Sequence, residues 1–207
     1  MLILVRHGES SANAQGLLVG RTDAALTELG RAQAASVHEL LHGPVHSLRT
    51  SPLRRARNTA AALDLGLPAE VDDRWIEVDY GEYECQPLRD VPADVWREWR
   101  RSPDFRPAGG ETLAEVQARV SAACAELFAH DGAGARAATG DVVAVSHVTP
   151  IKAAVAWALG VGVELSWRLH LQTASVTRIG WGNDVAVLHG FNEVAPARHD
   201  TSQSRHA

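Results

Sequence analysis

Two short apolar runs constrain the architecture of this chain more than any other feature. Residues 2–5 read LILV and residues 141–146 read DVVAVS, and each run leads straight into a histidine, His7 after Arg6 and His147 after Ser146. A strand buried on both faces of a parallel sheet reads as such a continuous run rich in Val, Ile and Leu. Arginine and histidine are poor material for its interior. They suit its carboxyl end, where open α/β sheets bind their ligands.

Further strands and helices alternate along the chain. Thr27 predicts the cap of a helix to about residue 42, with Ala34, Val37, Leu40 and Leu41 on one stripe. A short strand is expected at 45–49. Ser51-Pro52 predicts the next helix start, serine at N-cap and proline at N1, with Gly66 stopping it after about residue 65. Residues 69–71 read as another strand. Residues 76–110 break the pattern with four prolines and the aromatic stretch DVWREWRR, and predict a small helical insertion beside the carboxyl end of the sheet. Thr112 and Glu115 have capping-box spacing for a helix to about His130. A loop at 131–140, a helix at 150–159 and strands at 174–181 and 185–191 around GND follow, the last a hairpin signal. Strands alternating with helices imply a mainly parallel sheet covered on both faces. The expected domain spans 1–195, with a disordered tail at 196–207.

Composition narrows the partners. A chain of 207 residues can bury one real core. A net charge of −5 argues against nucleic acid or a membrane surface as partner. The two cysteines, Cys85 and Cys124, have no CxxC spacing, which predicts neither a disulfide framework nor a zinc site and fits a reducing compartment. The four-residue apolar start is too short for a signal peptide or a membrane span. The expectation is a cytoplasmic protein.

The strand ends carry chemistry suited to phosphate. Arg6 and Arg55 offer forked donors. Arginines beside His7 disfavour a second cation, so its imidazole is expected to be neutral and nucleophilic. A neutral imidazole can attack phosphorus in line and form a phosphohistidine. The arginines and His147 can stabilise the equatorial oxygens. Glu77, at the start of the insertion, can protonate the leaving oxygen if burial raises its pKa. No metal-ligand set is evident, and no cofactor is expected.

These residues also carry a resemblance. LVRHGESSAN resembles the signature of the histidine phosphatase superfamily, which includes the cofactor-dependent phosphoglycerate mutases. GRTDAALTELGRAQA, TSPLRRARNTA, WIEVDYGEYEC, GGETLAEVQAR and VSHVTPIK resemble further motifs of that family, in order, over roughly residues 1–190. The resemblance implies a three-layer α/β/α sandwich. It selects Arg55 over Arg54 and Arg57 as the second phosphate arginine, Glu77 over Glu82 and Glu84 as the acid, and His147 as the second histidine. It implies a phosphate pocket of Arg6, His7, Arg55 and His147, with Asn13 and Gly20 as supporting contacts, and phosphorylation on His7.

The activity so implied is hydrolysis of a phosphomonoester of a small phosphorylated metabolite. The alternatives are an isomerase of the phosphoglycerate mutase type and a non-catalytic phospholigand-binding protein. Val19 and Val78 stand where the mutases carry polar substrate contacts, which favours the hydrolase, whereas WRRSPDF echoes a mutase segment. Cys85 and Val148 stand at positions where the family carries glycine. Oligomeric state stays open, a homodimer included.

Overall fold

The two runs are β1 (Leu2–Arg6) and β4 (Asp141–Ser146), paired in parallel at the centre of a six-stranded sheet. The computed structural model describes residues 1–130 and 140–196. The other strands are β2 (Val45–Thr50), β3 (Ala69–Val71), β5 (Val176–Gly182) and β6 (Val185–Glu193), in the spatial order β3-β2-β4-β1-β5-β6. Only β5 runs against the rest, antiparallel to both β1 and β6. The sheet is therefore mainly parallel, with a hairpin at one edge. Asn183 and Asp184 make its two-residue turn, both at positive φ (52° and 63°), as a type I′ turn demands.

Period-two alternation in β1 sorts the core into two halves. Leu2 and Leu4 pack with Val116, Val120, Ile151 and Ala154 on one face. Ile3 and Val5 pack with Val37, Ala56, Ala60 and Leu63 on the other. The first face lies under α5 (Leu113–His130) and α6 (Val148–Ala158), the second under α2 (Glu28–Ser36) and α3 (Arg54–Ala62). This is the expected three-layer sandwich. A one-turn helix, α1 (Ser11–Ala14), and α4 (Ala93–Arg101) complete the helices. Among the described residues, no helix is long and apolar enough to cross a membrane.

Residues 76–110 do hold α4, and they join the core on the α5/α6 side. Trp99 is 2% exposed and meets Tyr80, Tyr83 and Phe105 in edge-on contacts. The Thr112–Glu115 capping box forms at the start of α5. Residues 131–139 of the loop expected at 131–140, and 197–207 of the tail expected at 196–207, lie outside the described residues.

Three helix boundaries differ from expectation. α2 gives way at Val37 to a 3-10 turn reaching Leu40, so the helical path is nearly as long as expected but tightens at its end. α3 begins two residues later than Ser51-Pro52 suggests, because Ser51 is not its cap. The acceptor at its start is Asp23, whose carboxylate takes the Arg54 N–H at 2.6 Å. α6 begins at Val148, immediately after β4, with only His147 between them in extended geometry.

Register places the chemistry. Arg6 pairs with Ser146, and Thr50 with Val145, so β1, β2 and β4 end level. His7, Ser51 and His147 emerge side by side from the carboxyl edge.

Candidate active site

His7 is 3% exposed and sits against His147, ring centroids 5.0 Å apart. Its Nδ1 lies 2.7 Å from the Gly8 carbonyl, which can only accept, so Nδ1 carries the proton and Nε2 the lone pair. Arg55 donates its Nε–H to that Nε2 at 3.3 Å. Burial lowers the His7 pKa well below its ordinary value, and the positive charges of Arg55 and Arg6 lower it further. The imidazole is neutral, with its free nitrogen turned to the site.

The turn after His7 is built by close backbone approach. A Cβ on Gly8 would stand 2.1 Å from the Gly30 carbonyl oxygen, so only glycine lets the chain pass there. The Gly8 N–H is taken by Thr59 Oγ1, whose hydroxyl donates to the Arg55 carbonyl in α3.

Arg55 is 1% exposed, and each nitrogen of its guanidinium donates one bond: besides Nε–H to His7, Nη1 donates to the Thr22 carbonyl at 2.8 Å and Nη2 to the Gly20 carbonyl at 2.6 Å. The loop that supplies these carbonyls hangs on Glu84. The backbone N–H groups of Gly20 and Arg21 and the Thr22 hydroxyl all donate to the Glu84 carboxylate at 2.8–2.9 Å. Gly20, expected as a phosphate contact, is thus occupied through both backbone groups and seats Arg55 instead. A Cβ there would lie 2.0 Å from the Val78 carbonyl oxygen. Cys85, next to Glu84, holds φ = +61°, the left-handed region that suits the glycine expected there from the resemblance.

His147 is fully buried. Its Nε2 lies 2.7 Å from Ser51 Oγ, and its Nδ1 has no hydrogen-bond partner among the described residues. Burial, then Arg55, pushes its pKa well down. Arg6 donates Nη1–H to the Leu171 carbonyl at 2.6 Å, while its Nε is equally unpartnered. Among the described residues, Arg6, Arg55 and Lys152 form no ion pair within 4.0 Å, and Glu77 acts on all three at longer range. Ser51 carries more than its sequence position suggested: its Oγ accepts the Leu53 N–H and meets His147.

Of the three candidate acids, only Glu77 reaches this edge. It is 4% exposed and accepts the backbone N–H groups of Val78 (2.9 Å), Val148 (3.1 Å) and Thr149 (3.2 Å). Those of Val148 and Thr149 open α6, so the carboxylate sits at a helix N-terminus. The Val148 amide, at a family glycine position, is used here to hold Glu77. Glu82 lies apart, accepting from the Ala108 N–H at 3.2 Å. Asn13 turns its Oδ1 to Ser10, taking the Ser10 N–H at 3.1 Å, and this leaves its amide nitrogen to face elsewhere. Among the described residues, no group of three or more His, Cys, Asp or Glu side chains could hold a metal ion.

Fold and site together define an α/β protein that gathers two histidines and two arginines at the carboxyl edge of its sheet. The profile of the histidine phosphatase superfamily (branch 1) matches residues 2–194, and the chain belongs to that superfamily. It is 31% identical over 207 residues to the putative phosphoserine phosphatase 2 of Hydrogenobacter thermophilus, covering 97% of this chain and 98% of that one. It is 35% identical over 155 residues to the glucosyl-3-phosphoglycerate phosphatase of Mycobacterium tuberculosis, covering 70% and 69%. A solved structure of the mycobacterial glucosyl-3-phosphoglycerate phosphatase in complex with VO3 superposes with a TM-score of 0.80 at 30% identity, covering 92% and 98%. The chain spans about half the length, 49%, of a bifunctional protein of Mycobacterium tuberculosis to which it is 34% identical.

Proposed function

We propose that the chain hydrolyses phosphomonoesters of small metabolites through a phosphohistidine at His7. One observation carries this reading: two arginines converge on a neutral histidine with no carboxylate in ion-pair reach among the described residues, beside unpartnered nitrogens at Arg6 Nε and His147 Nδ1. Glu77 acts on both arginines only from beyond ion-pair distance, and burying cations without a contacting counter-charge is unfavourable by several kcal/mol per ion, on the order of what a dianionic phosphoryl group would offset. The phosphatase names of these relatives support the same reading.

In the proposed reaction, His7 Nε2 attacks phosphorus and the P–O bond to the leaving group breaks. Arg55 turns from the imidazole to the phosphoryl oxygens. Arg6, His147 Nδ1–H and the Asn13 amide nitrogen complete the contacts to the equatorial oxygens. Glu77 gives the departing oxygen a proton. Water then attacks phospho-His7, returning a proton to Glu77 and releasing inorganic phosphate.

The hydrolase is preferred to the isomerase on Val78. It is wholly buried in the core, where a mutase carries an arginine, so no second cation from that position can hold a reorienting intermediate. The proposed setting is the cytoplasm, with the domain at 1–195 and small phosphorylated metabolites, rather than nucleic acid or membrane, as partners.

Phosphate release from a chromogenic aryl phosphate, with and without a chelator, tests this. Equal turnover in both supports it. Absence of release from the aryl ester and from every phosphorylated metabolite tried would leave the non-catalytic binding protein.

A further inference from the structure

A small cavity of about 120 Å³ opens between α4, the start of α6 and the 3-10 turn Val163–Arg168. Tyr80, Trp96, Trp99, Lys152, Ser166 and Trp167 line it. Val148 and Thr149 line it too, and they are the residues whose N–H groups hold the Glu77 carboxylate. The cavity therefore adjoins the group that protonates the leaving oxygen in the reading above.

Its walls are largely aromatic. Trp96 meets Trp99 at 5.4 Å and Trp167 edge-on at 6.2 Å, and the Arg100 guanidinium covers Trp167 at 5.5 Å. Two polar groups stand among these rings. Lys152 lies one turn beyond Thr149 on α6 and donates one N–H to the Ser166 carbonyl at 3.0 Å. Two of its three N–H groups are free for a ligand. Ser166 is 7% exposed, and its Oγ has no hydrogen-bond partner among the described residues. Glu77 acts on the Lys152 ammonium only from beyond ion-pair distance, and a partly buried ammonium with no carboxylate in contact and a buried hydroxyl without a partner both gain from a ligand that meets them.

We propose that this cavity is the leaving-group subsite and that Lys152, with Ser166, binds a carboxylate on a compact phosphoester whose carbon skeleton the tryptophans cover. The inference rests on the phosphatase reading. The volume is well under the roughly 300–1,000 Å³ of a drug-sized ligand site, so it fits a few heavy atoms and not a nucleoside. A single ammonium beside one hydroxyl matches the two oxygens of a carboxylate. A second phosphoryl group favours the arginine forks found at the other end of the site. Lowering of the Lys152 pKa by burial accords with an ammonium that gains from an anion beside it.

The test is a ratio of kcat/KM between matched esters: 3-phosphoglycerate against glycerol 3-phosphate, and O-phosphoserine against phosphoethanolamine. The wild-type protein is expected to favour the carboxylated member of each pair at least tenfold. Lys152→Met, which keeps the aliphatic stem, should cut that ratio at least tenfold, and Lys152→Arg should restore most of it. A flat wild-type ratio overturns the proposal even if Lys152→Met does not fold. So does a Lys152→Met enzyme that loses equally on both members of each pair. Aryl phosphate turnover separates the two levels: a flat ratio with aryl turnover removes only the subsite, while no turnover of any ester removes the phosphatase reading as well.

Discussion

Arg55 donates its Nε–H to Nε2 of His7 across 3.3 Å, so a guanidinium points at the lone pair proposed to attack phosphorus. This contact keeps a proton off Nε2, since two cations would otherwise face each other. It also has to break for catalysis. The phosphoryl group draws the guanidinium to its oxygens and frees the nitrogen in the same movement, so the nucleophile is released when substrate arrives.

The seat of Arg55 gives the first prediction. Glu84 touches no group of the proposed reaction, yet it collects the N–H groups of the loop whose carbonyls hold the guanidinium. Glu84→Ala should lower kcat/KM on an aryl phosphate by about 10- to 100-fold, mainly through KM, as phosphate contacts loosen. Glu84→Gln, which keeps one acceptor oxygen, should recover part of the loss. Steady-state kinetics with intact circular dichroism checks this, and a Glu84→Ala enzyme of unchanged KM would refute it.

Glu77 should matter in proportion to the leaving group. Glu77→Gln should reduce turnover of alkyl phosphates by about 100- to 10,000-fold and of aryl phosphates far less, because a good leaving group departs without a proton. Equal losses on both would remove the acid role from Glu77.

Much of the site was legible in the sequence because its parts sit at strand ends. Arg6, His7 and His147 stand where apolar runs stop, and level strands bring those stops together. Ser51 was misread for a physical reason. The local Ser-Pro signal marks a helix cap, but a carboxylate from Asp23, distant in sequence, takes the helix start and frees the hydroxyl for His147. Glu84 left no legible signal, because it binds backbone N–H groups, which every residue type offers. The cavity beside Glu77 was also hidden. Lys152, Ser166 and Trp96 come from three segments, and only the packing of α4 against the 3-10 turn Val163–Arg168 brings them together.

Protonation of His7 should be coupled to folding. Its pKa is depressed in the folded state, so below about 6.5 the unfolded chain binds a proton that the folded chain refuses. The stability contributed by this group is complete above that pH and is lost as pH falls toward the depressed value. Urea denaturation at pH 7 and at pH 5 should show a steeper decline for the wild-type protein than for His7→Gln, by up to about 1.4 kcal/mol per pH unit. Parallel declines would mean that His7 carries no such shift.

Cys85 offers a gain in stability. At φ = +61° its side chain holds a conformation that only glycine adopts without strain. Cys85→Gly should raise stability by about 1 kcal/mol, or a few degrees in Tm, measured by thermal denaturation. Its thiol lies 3.3 Å from the Thr22 hydroxyl, an exposed contact whose loss offsets little of that gain. A lower Tm would show that this contact outweighs the backbone strain.

The phosphohistidine itself is the central claim, and trapping it is the most direct measurement. Turnover of a phosphomonoester is stopped within milliseconds in alkaline denaturant, and the phosphate is located by peptide mass spectrometry. The account predicts phosphate on His7, stable in base and labile in acid, and none in a His7→Ala protein that remains folded. Phosphate on Ser51 or His147, or steady turnover by His7→Ala with no phosphorylated residue, would contradict it.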